Sequence, residues 1–434
     1  MTPQSTFMIV VPIVQGQREA LESLLASMNL SPGRVDPYNS LIPFARFDTL
    51  HCAKLVIIEA TNAEEIRAYG WEPHEWPVSL GLIGEIDGSR DHFMATLCVM
   101  AKPGLEKILG HCEGFDSHKG SLLEFLMAHQ QDSAAEYVNW IGRTVTQVHE
   151  ELALQRSLSE ALPSIIKTVG RENVRTIRQH LMTHVEHELH QGRLTLTPEA
   201  ATAWPVKFKR LVDLVGLPLL LLVLSPLLLL ITPFVLLRFR QLEKQDPKIS
   251  GRPDPSHSQS LSRIEDFDVT NQFNVFGDVK PGLFRLWLAK FILRLVDYFS
   301  RHVYHRGFLA RIRTIHFARW TFLNNERSLY FSSVYDGSLE SYMDDFVNKV
   351  AFGLNLTFGL GVGYPRTRWL IKGGAENEQT FKSTLRRHQF PSEVWYRAHP
   401  GLTAFDMARN ARIRQGVEKY PRNDDAIRDW LSEI

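Results

Sequence analysis

The sequence has too few cysteines for a disulfide framework or a structural zinc site. Its 434 residues include three, Cys52, Cys98 and Cys112, and their spacing matches no zinc-ligand pattern. Disulfides persist mainly in oxidising compartments. We therefore expect reduced thiols in a protein that faces the cytoplasm.

An excess of charge of either sign is also missing. The chain has 49 Lys and Arg against 48 Asp and Glu, a formal net charge of +1. A nucleic-acid-binding protein typically has a strongly basic face, and a disordered chain combines high net charge with low hydrophobicity. Hydrophobic residues make up 44% of this chain. The composition predicts a folded protein of two or three domains without a nucleic-acid partner.

Motifs of nucleotide-binding and serine-hydrolase folds are absent from the sequence. We find no Walker A loop, Rossmann fingerprint or GxSxG turn at a usable position. The glycine-rich stretch at residues 359–363 follows a predicted helix rather than a strand. We expect it to form a loop.

One long hydrophobic run predicts contact with a membrane. Between Leu214 and Leu237 no residue is charged, and a bilayer-spanning helix needs about 20 apolar residues. Basic residues flank both ends of the run, which favours the cytoplasmic side of the membrane for each end. Three prolines lie within the run, and a proline kinks or breaks a helix. The flanking residues are Lys207, Lys209, Arg210, Arg238, Arg240 and Lys244, and the prolines are Pro218, Pro226 and Pro233. We expect a hairpin inserted into lipid rather than a single span, with the soluble parts on the cytoplasmic side.

Short matches recur in the same order on either side of this run. FARF at residues 44–47 recurs as FARW at residues 317–320, and Asp-Gly-Ser at residues 87–89 recurs at residues 336–338. A His-Gln pair and then a glycine before a helix follow in both halves. Several matches in one order indicate an internal duplication.

The predicted element order in each copy is typical of a ferredoxin-like unit. We therefore predict an α+β fold in which two homologous ferredoxin-like repeats pack through their sheets. The predicted divisions are repeat 1 (1–160), a histidine-bearing helical segment (161–206), the membrane segment (207–244), a linker (245–270) and repeat 2 (271–434). In repeat 2 we predict strands at 272–278, 314–323, 328–335, 367–372 and 393–398.

This architecture resembles the dimeric α/β-barrel superfamily. GEIDG at residues 84–88 is similar to the GxxDG motif of its dye-decolorizing haem peroxidases, whereas residues 333–337 (SVYDG) lack the first glycine. The resemblance implies that Asp87 or Asp336, together with an arginine, works on peroxide beside haem. It also implies a proximal histidine in the second half, where His302, His305 and His316 lie without a matching pattern.

Each candidate residue also has a structural interpretation. Asp87 and Asp336 are either helix caps beside a turn or acid–base catalysts. Arg46 and Arg319, in predicted apolar strands, either form a salt bridge between the repeats, with Asp344 or Asp345 as partner, or bind an anion. In the anion site, Arg366 and Arg368 would contribute, and with His316 they are the candidate cofactor-binding residues.

The segment at residues 180–190 is the richest in histidine. His180, His184, His187 and His190 fall on one face of a helix. This face is either solvated, or binds a metal or haem through His180, His184 and His187, or makes a pH-sensitive contact.

Two functions are consistent with these patterns. The first is a membrane-anchored oxidoreductase, similar to a haem peroxidase, that acts on a lipophilic small molecule near the bilayer. The second is a non-catalytic membrane-associated module that binds a ligand or a protein.

Overall fold

A computed structural model of the chain describes residues 2–118, 120–249, 251–304, 307–419 and 423–434. His305 lies outside the described residues. The strands are β1 (Gln4–Pro12), β2 (Asn29–Ser31), β3 (Arg34–Val35), β4 (Leu50–Ile58), β5 (Ser79–Asp87), β6 (Ala135–Val138), β7 (Thr270–Asp278), β8 (Ile315–Leu323), β9 (Ser328–Asp336), β10 (Thr367–Arg368), β11 (Lys372–Gly373) and β12 (Ser392–Arg397). The helices are α1 (Arg18–Ala26), α2 (Ala63–Ala68), α3 (Arg90–Met100), α4 (Lys102–Leu109), α5 (Leu122–Ala128), α6 (Val145–Val169), α7 (Val174–His190), α8 (Trp204–Val223), α9 (Ser225–Gln245), α10 (Pro255–Ser262), α11 (Leu283–His302), α12 (Leu339–Phe358), α13 (Glu378–His388), α14 (Ala404–Glu418) and α15 (Asp424–Glu433).

Two four-stranded antiparallel sheets form the centre of this α+β fold. The first has the order β1-β5-β4-β12 and the second the order β7-β9-β8-β6. Their registers correspond, because Gln4 at the start of β1 lies opposite Asp87 and Thr270 at the start of β7 lies opposite Asp336. The predicted α+β class is confirmed.

The last strand of each half pairs with the sheet of the other half. β6 follows the first sheet along the chain but pairs with β8, and β12 pairs with β4. Just before crossing, each segment forms a bridge with its own sheet, Gln130 with Ile9 and Gln389 with Val275. The two crossings join the sheets at both edges, an exchange that the sequence analysis did not predict.

The central strands are buried on both faces. All nine residues of β4 and all nine of β5 are buried, because one face contacts the opposite sheet and the other contacts helices. Met8 and Ile83 of the first sheet share an apolar cluster with Phe276 and Tyr330 of the second. Burial on both faces explains the nearly continuous apolar runs of these strands, which lack the alternation of half-exposed strands.

Helices cover the outer face of each sheet. The first sheet packs against α1 and α3 to α5, and the second against α11 to α13. A further cluster joins α6, α7, α14 and α15. The predicted division at residue 160 falls inside α6 (Val145–Val169), so it does not coincide with a break in structure.

The hydrophobic run forms α8 and α9, with a break at Leu224. Within the described residues, one helix, Ser225–Gln245, is long and apolar enough to cross a membrane. Pro226 lies in the first turn of α9, where no backbone N–H is needed. Pro218 and Pro233 lie inside helices, so neither of them ends a helix.

Two predicted strand segments differ from the structure. Residues 367–372 form β10 and β11 around a turn, because Trp369 and Leu370 have φ values of 61° and 52°, which no strand residue adopts. Arg46 lies in a 3₁₀ turn, Phe44–Arg46, and is exposed. Pro43 just before it has no N–H to donate to a strand ladder, and β4 begins only at Leu50.

The predicted linker at residues 245–270 is partly helical. Asp254 accepts hydrogen bonds from the backbone N–H groups of Ser256 and His257, which starts α10. The described linker is therefore ordered against the second half, where His257 hydrogen-bonds the carbonyl oxygen of Arg386 at 3.1 Å.

Candidate functional site

A small cavity lies between the sheets at one end of the intersheet space. Its volume is about 60 Å³, room for roughly four to six water molecules at 10–15 Å³ each. Three buried histidines line it, His51 from β4, His316 from β8 and His399 from the loop after β12. We call it the histidine cavity.

Two of these histidines form matching pairs with the two aspartates of the repeated Asp-Gly-Ser. His51 Nε2 donates to Asp87 Oδ1 at 3.0 Å, and His316 Nε2 donates to Asp336 Oδ1 at 2.6 Å. Each pair joins the end of one central strand to the start of its neighbour. The structure therefore brings together the predicted residues Asp87, Asp336 and His316.

The second oxygen of each aspartate holds the start of a distant helix. Asp87 Oδ2 accepts the N–H of Val145 in α6 at 2.8 Å, and Asp336 Oδ2 accepts the N–H of Ala404 in α14 at 2.7 Å. A carboxylate at a helix N-terminus is favourable for both hydrogen bonding and the helix dipole. The capping interpretation of Asp87 and Asp336 thus describes these contacts, although the capped helices are not the ones that directly follow each aspartate.

Local sequence features place the histidines and helix starts at this end. The ladder register shifts between Leu50 and Cys52 and between Ile315 and Phe317. Each shift is a bulge, which re-aims side chains, so His316 and Phe317 both line the cavity. Strict alternation along β8 would place His316 and Phe317 on opposite faces, and the bulge is the reason that it does not hold here.

The helix starts are fixed by capping boxes. Thr144 and Gln147 form one at α6, and Thr403 and Asp406 form one at α14. In this motif the two side chains satisfy each other's backbone N–H groups. The same device thus directs the first turns of two helices toward the histidine cavity.

His399 differs from the other two cavity histidines. Its side chain is 7% exposed, and neither ring nitrogen has a hydrogen-bond partner among the described residues. Burial lowers the pKa of His399 well below its ordinary value, and charge on His51, His149 and His316 would lower it further. In the neutral ring one of these nitrogens is unprotonated and is able to accept a proton, and both nitrogens lie beneath the cavity surface.

His149 connects this buried ring to solvent. It is exposed, and its Nε2 donates to the carbonyl oxygen of Ala398 at 2.8 Å. The ring centroids of His149 and His399 are 4.6 Å apart, and those of His399 and His51 are 5.9 Å apart. A row of imidazoles therefore leads from the surface to the Asp87 pair.

Deeper between the sheets, Arg319 crosses from the second sheet to the first. It is 1% exposed and donates to Glu85 Oε1 at 3.1 Å and to the carbonyl oxygens of Phe7 at 2.7 Å and Gly84 at 3.1 Å. The predicted salt bridge between the halves is present, but its partner is Glu85. The candidates Asp344 and Asp345 instead pair with lysines of their own surface.

Lys54 occupies the matching place in the first sheet. Its Nζ donates to Ser332 Oγ at 2.7 Å and to the carbonyl oxygen of Ser333 at 3.1 Å. Burial lowers the pKa of Lys54 to about 8, although Glu85 opposes the shift. The neighbouring Cys52 donates to Glu85 Oε2 at 2.7 Å, and burial raises the pKa of that thiol.

The other predicted site residues lie elsewhere. Arg46, Arg366 and Arg368 are exposed and do not line the histidine cavity, and Arg366 donates to the carbonyl oxygen of Asp246. An anion site that combines Arg319 with Arg366 and Arg368 is therefore not formed, because Arg319 is buried between the sheets.

The candidate metal histidines lie on α7. His180 and His187 are exposed, and His184 Nε2 lies 2.9 Å from Ser157 Oγ. Across the described ranges, no group of three or more His, Cys, Asp or Glu side chains is arranged to hold a metal ion. The exposure of His180 and His187 agrees with the solvated-face interpretation.

The dimensions of the histidine cavity do not fit haem. A tetrapyrrole is many times larger than a space of about 60 Å³. The Nε2 atom of His316, one of the three histidines considered for the proximal position, is already bonded to Asp336. We therefore assign no step to haem.

Sequence reasoning missed His51, His149 and His399. The signal for His51 was available, because HCAK at residues 51–54 recurs as HFAR at residues 316–319. The sequence analysis instead aligned FARF with FARW, which made Arg46 the counterpart of Arg319. His149 and His399 have no such repeated signal, since they come together only through the exchanged strand.

Comparison with known proteins gives no relative. No protein-family model, curated protein or solved structure matches this chain. Function is therefore inferred from the geometry of the site.

Proposed function

We propose that the protein is a membrane-anchored enzyme that transfers protons at the histidine cavity. The substrate class is a small polar molecule, or the polar end of a lipophilic molecule that reaches the cavity. The observation that carries this proposal is the buried imidazole of His399, whose two nitrogens have no partner among the described residues. Buried polar groups are almost always hydrogen-bonded, so two unpaired nitrogens beside a cavity favour a partner there, either water or a bound molecule.

In the proposed reaction His399 acts as the general base. Burial lowers the pKa of His399, so the ring is neutral near pH 7 and one nitrogen is unprotonated, while the same burial makes the ring a weaker base. His149, whose ring lies beside that of His399, returns the proton that His399 accepts to solvent. His51, held by Asp87, is a positioning residue that fixes the far side of the cavity.

The oxidoreductase class suggested by the resemblance needs a redox group as well. The residues of the histidine cavity supply acid–base chemistry, and the proposal is confined to that step. We also propose that the two halves are duplicated ferredoxin-like units. Their corresponding strand orders, registers and Asp–His pairs support this.

We further propose that α8 and α9 form a membrane hairpin. Both ends of the segment contact the same helix, since Tyr298 of α11 donates to the carbonyl oxygen of Leu214 at 2.9 Å and Arg285 of α11 to that of Leu242 at 3.1 Å. Because both ends of the segment return to α11, we place both flanks on the same side of the membrane. Their basic residues favour the cytoplasmic side.

Cysteine labelling tests the hairpin. Lys209→Cys and Lys244→Cys variants, each in a Cys98→Ser background, are reacted with an impermeant maleimide in sealed vesicles. We expect both to be labelled from the same side. Labelling from opposite sides would show a single span.

Deuterium exchange tests the proposed enzyme while its substrate is still unidentified. The full-length protein in lipid nanodiscs is incubated in D₂O with a total phospholipid extract and a panel of lipophilic carbonyl compounds. Mass spectrometry then follows deuterium incorporation. We expect at least one compound to exchange with wild-type protein and about 10²-fold more slowly with His399→Gln, a typical loss for a general base.

The matched control is His187→Gln, an exposed histidine outside the cavity. It should exchange like wild type. Equal exchange with His399→Gln and wild type would overturn the proposal. A visible absorption spectrum is the second check, since a Soret band in the purified protein would show that the chain binds haem and would favour the oxidoreductase class instead.

The non-catalytic module is the second candidate. It is favoured by the dual contacts of Asp87 and Asp336, because their helix-capping bonds give both aspartates a purely architectural role. In that case the histidine cavity would bind a ligand without changing it, and no compound would exchange in the deuterium experiment.

A further inference from the structure

A second, larger cavity lies on the opposite face of β8 and β9. Its volume is about 560 Å³, within the roughly 300–1,000 Å³ of small-molecule sites. Its walls are the outer face of the second sheet, the last turns of α11 and the second half of α12. It is separate from the histidine cavity, which lies on the inner face of the same strands.

The walls of this cavity are almost entirely apolar. Trp320 and Phe331 of the sheet face Phe346, Leu354 and Phe358 of α12. The backbone of α12 departs from helical geometry at Val350, a residue of the cavity wall. Such a wall favours a long hydrocarbon chain.

Two buried donors in the wall have no partner. Ser300 is 1% exposed and Trp320 is 4% exposed. Ser300 Oγ and Trp320 Nε1 make no hydrogen bond among the described residues. Both polar atoms lie beneath the cavity surface, and an unsatisfied buried donor is costly. An occupant that displaces the wall enough to bring an acceptor oxygen to either atom would offset that cost.

The charges of the cavity wall are both positive. Lys349 and Arg311 are its two charged residues, and Arg311 is exposed. Lys349 also pairs with Asp345 at 2.6 Å, where the lysine side chain is 43% exposed. This charge pattern is complementary to an anionic end group that remains near water.

The same wall adjoins the membrane segment. Tyr298 of α11 contacts α8 at Leu214, and the neighbouring Phe299 and Ser300 line the cavity. Phe299 is 45% exposed and Phe352 is 52% exposed. A lipid is thus able to reach the cavity from the bilayer beside α8.

We propose that this cavity binds a long-chain fatty acid that carries an oxygen on its chain. The hydrocarbon fills the apolar space, the chain oxygen accepts from Ser300 or Trp320, and the carboxylate lies near Lys349 and Arg311. The site is independent of the proposed proton transfer, since none of its walls belongs to the histidine cavity.

Binding of ricinoleate and oleate to the full-length protein tests this site, because the two differ by one chain hydroxyl. We expect ricinoleate to bind roughly tenfold more tightly, as one additional hydrogen bond of about 1.4 kcal/mol would give. Ser300→Ala and Trp320→Phe should reduce that preference without weakening oleate. Methyl ricinoleate should bind less well than ricinoleate, and Lys349→Gln should abolish that difference.

Gly353→Leu tests the location. A side chain at Gly353 meets only Val350 in ordinary contact, so the leucine extends into the cavity and should block binding. Gly216→Leu is the matched control, a helical glycine with open space around it, and should bind normally. Equal affinity for ricinoleate and oleate, or unchanged binding by Gly353→Leu, would overturn the proposal. We expect His399→Gln to bind ricinoleate like wild type, so that a failure of one proposal is distinguishable from a failure of the other.

Discussion

The two halves of the molecule contribute matching histidines to the same cavity, each bonded to a matching aspartate. His51 with Asp87 and His316 with Asp336 lie at corresponding positions of corresponding strands. In both halves the aspartate also holds the first turn of a distant helix. What the halves share is therefore the set of contacts that builds this end of the fold.

The halves differ at several cavity positions, and one of these lies just after the exchanged strands. Trp140 lies two residues before Gly142, and His399 lies two residues before Gly401. Both side chains line the cavity, but only the imidazole is able to take up a proton, and His149 lies next to it. The comparison teaches that matching residues support the architecture, and that function is to be sought where the halves differ.

The largest expected effect is a loss of stability on replacing a buried cation, and it compares Arg319 of the second sheet with Lys54 of the first. Arg319→Met leaves the Glu85 carboxylate buried without its partner, so we expect a loss of about 3–5 kcal/mol of stability. Lys54→Met removes a donor to neutral oxygens and should cost only about 1–2 kcal/mol. Urea unfolding followed by tryptophan fluorescence measures both. Adding Glu85→Gln to Arg319→Met should recover part of the loss, and equal losses for the two single variants would contradict the comparison.

The next effect tests the matching Asp–His pairs. Asp87→Ala and Asp336→Ala each leave a buried histidine and a helix N–H group unpaired, so each should lose about 2–3 kcal/mol. The shared architecture predicts losses of similar size. Asp425→Ala, whose side chain is 83% exposed, is the control and should change stability by less than about 0.5 kcal/mol. A loss of stability in only one of the two variants would show that the halves are not structurally equivalent at these pairs.

The smallest expected effect is on the pH dependence of stability, to which His399 contributes and its counterpart Trp140 does not. Its folded pKa lies well below the ordinary 6.5 because the ring is buried, so below pH 6.5 the unfolded chain binds more protons at this residue. Stability therefore falls as the pH falls below 6.5. We expect His399→Phe to lose less thermal stability than wild type between pH 7 and pH 5.

His187→Gln supplies the comparison for that measurement. This exposed residue of α7 should leave the acid-induced change of the wild type unaltered. Identical pH profiles for His399→Phe and wild type would show that the His399 ring is not held neutral by burial.

Periodicity and local motifs predicted much of the secondary structure. β8 and β9 differ from the predicted strands by at most one residue at an end, because long apolar runs and turn residues mark them clearly. The α+β class and the hydrophobic segment were also accessible from composition. The turn at Trp369 was missed because a positive φ is usually indicated by a glycine in the sequence, and here the residue is a tryptophan.

The candidate site was only partly predictable. Asp87, Asp336 and His316 were found because the Asp-Gly-Ser repeat and a histidine in a strand are local signals. Glu85 and His399 were not, because each finds its neighbours through pairing between distant parts of the chain. A sequence pattern carries no direct record of such pairing.

The strand exchange also orders events during synthesis. The first sheet gains its edge strand β12 only after residue 397 has been made, whereas the hydrophobic segment leaves the ribosome much earlier. The first half must therefore remain with an open sheet edge until β12 is made, and an open edge is prone to pair with other chains. If the hydrophobic segment inserts as proposed, its early capture by the membrane would keep each nascent chain apart from its neighbours until its own last strand arrives.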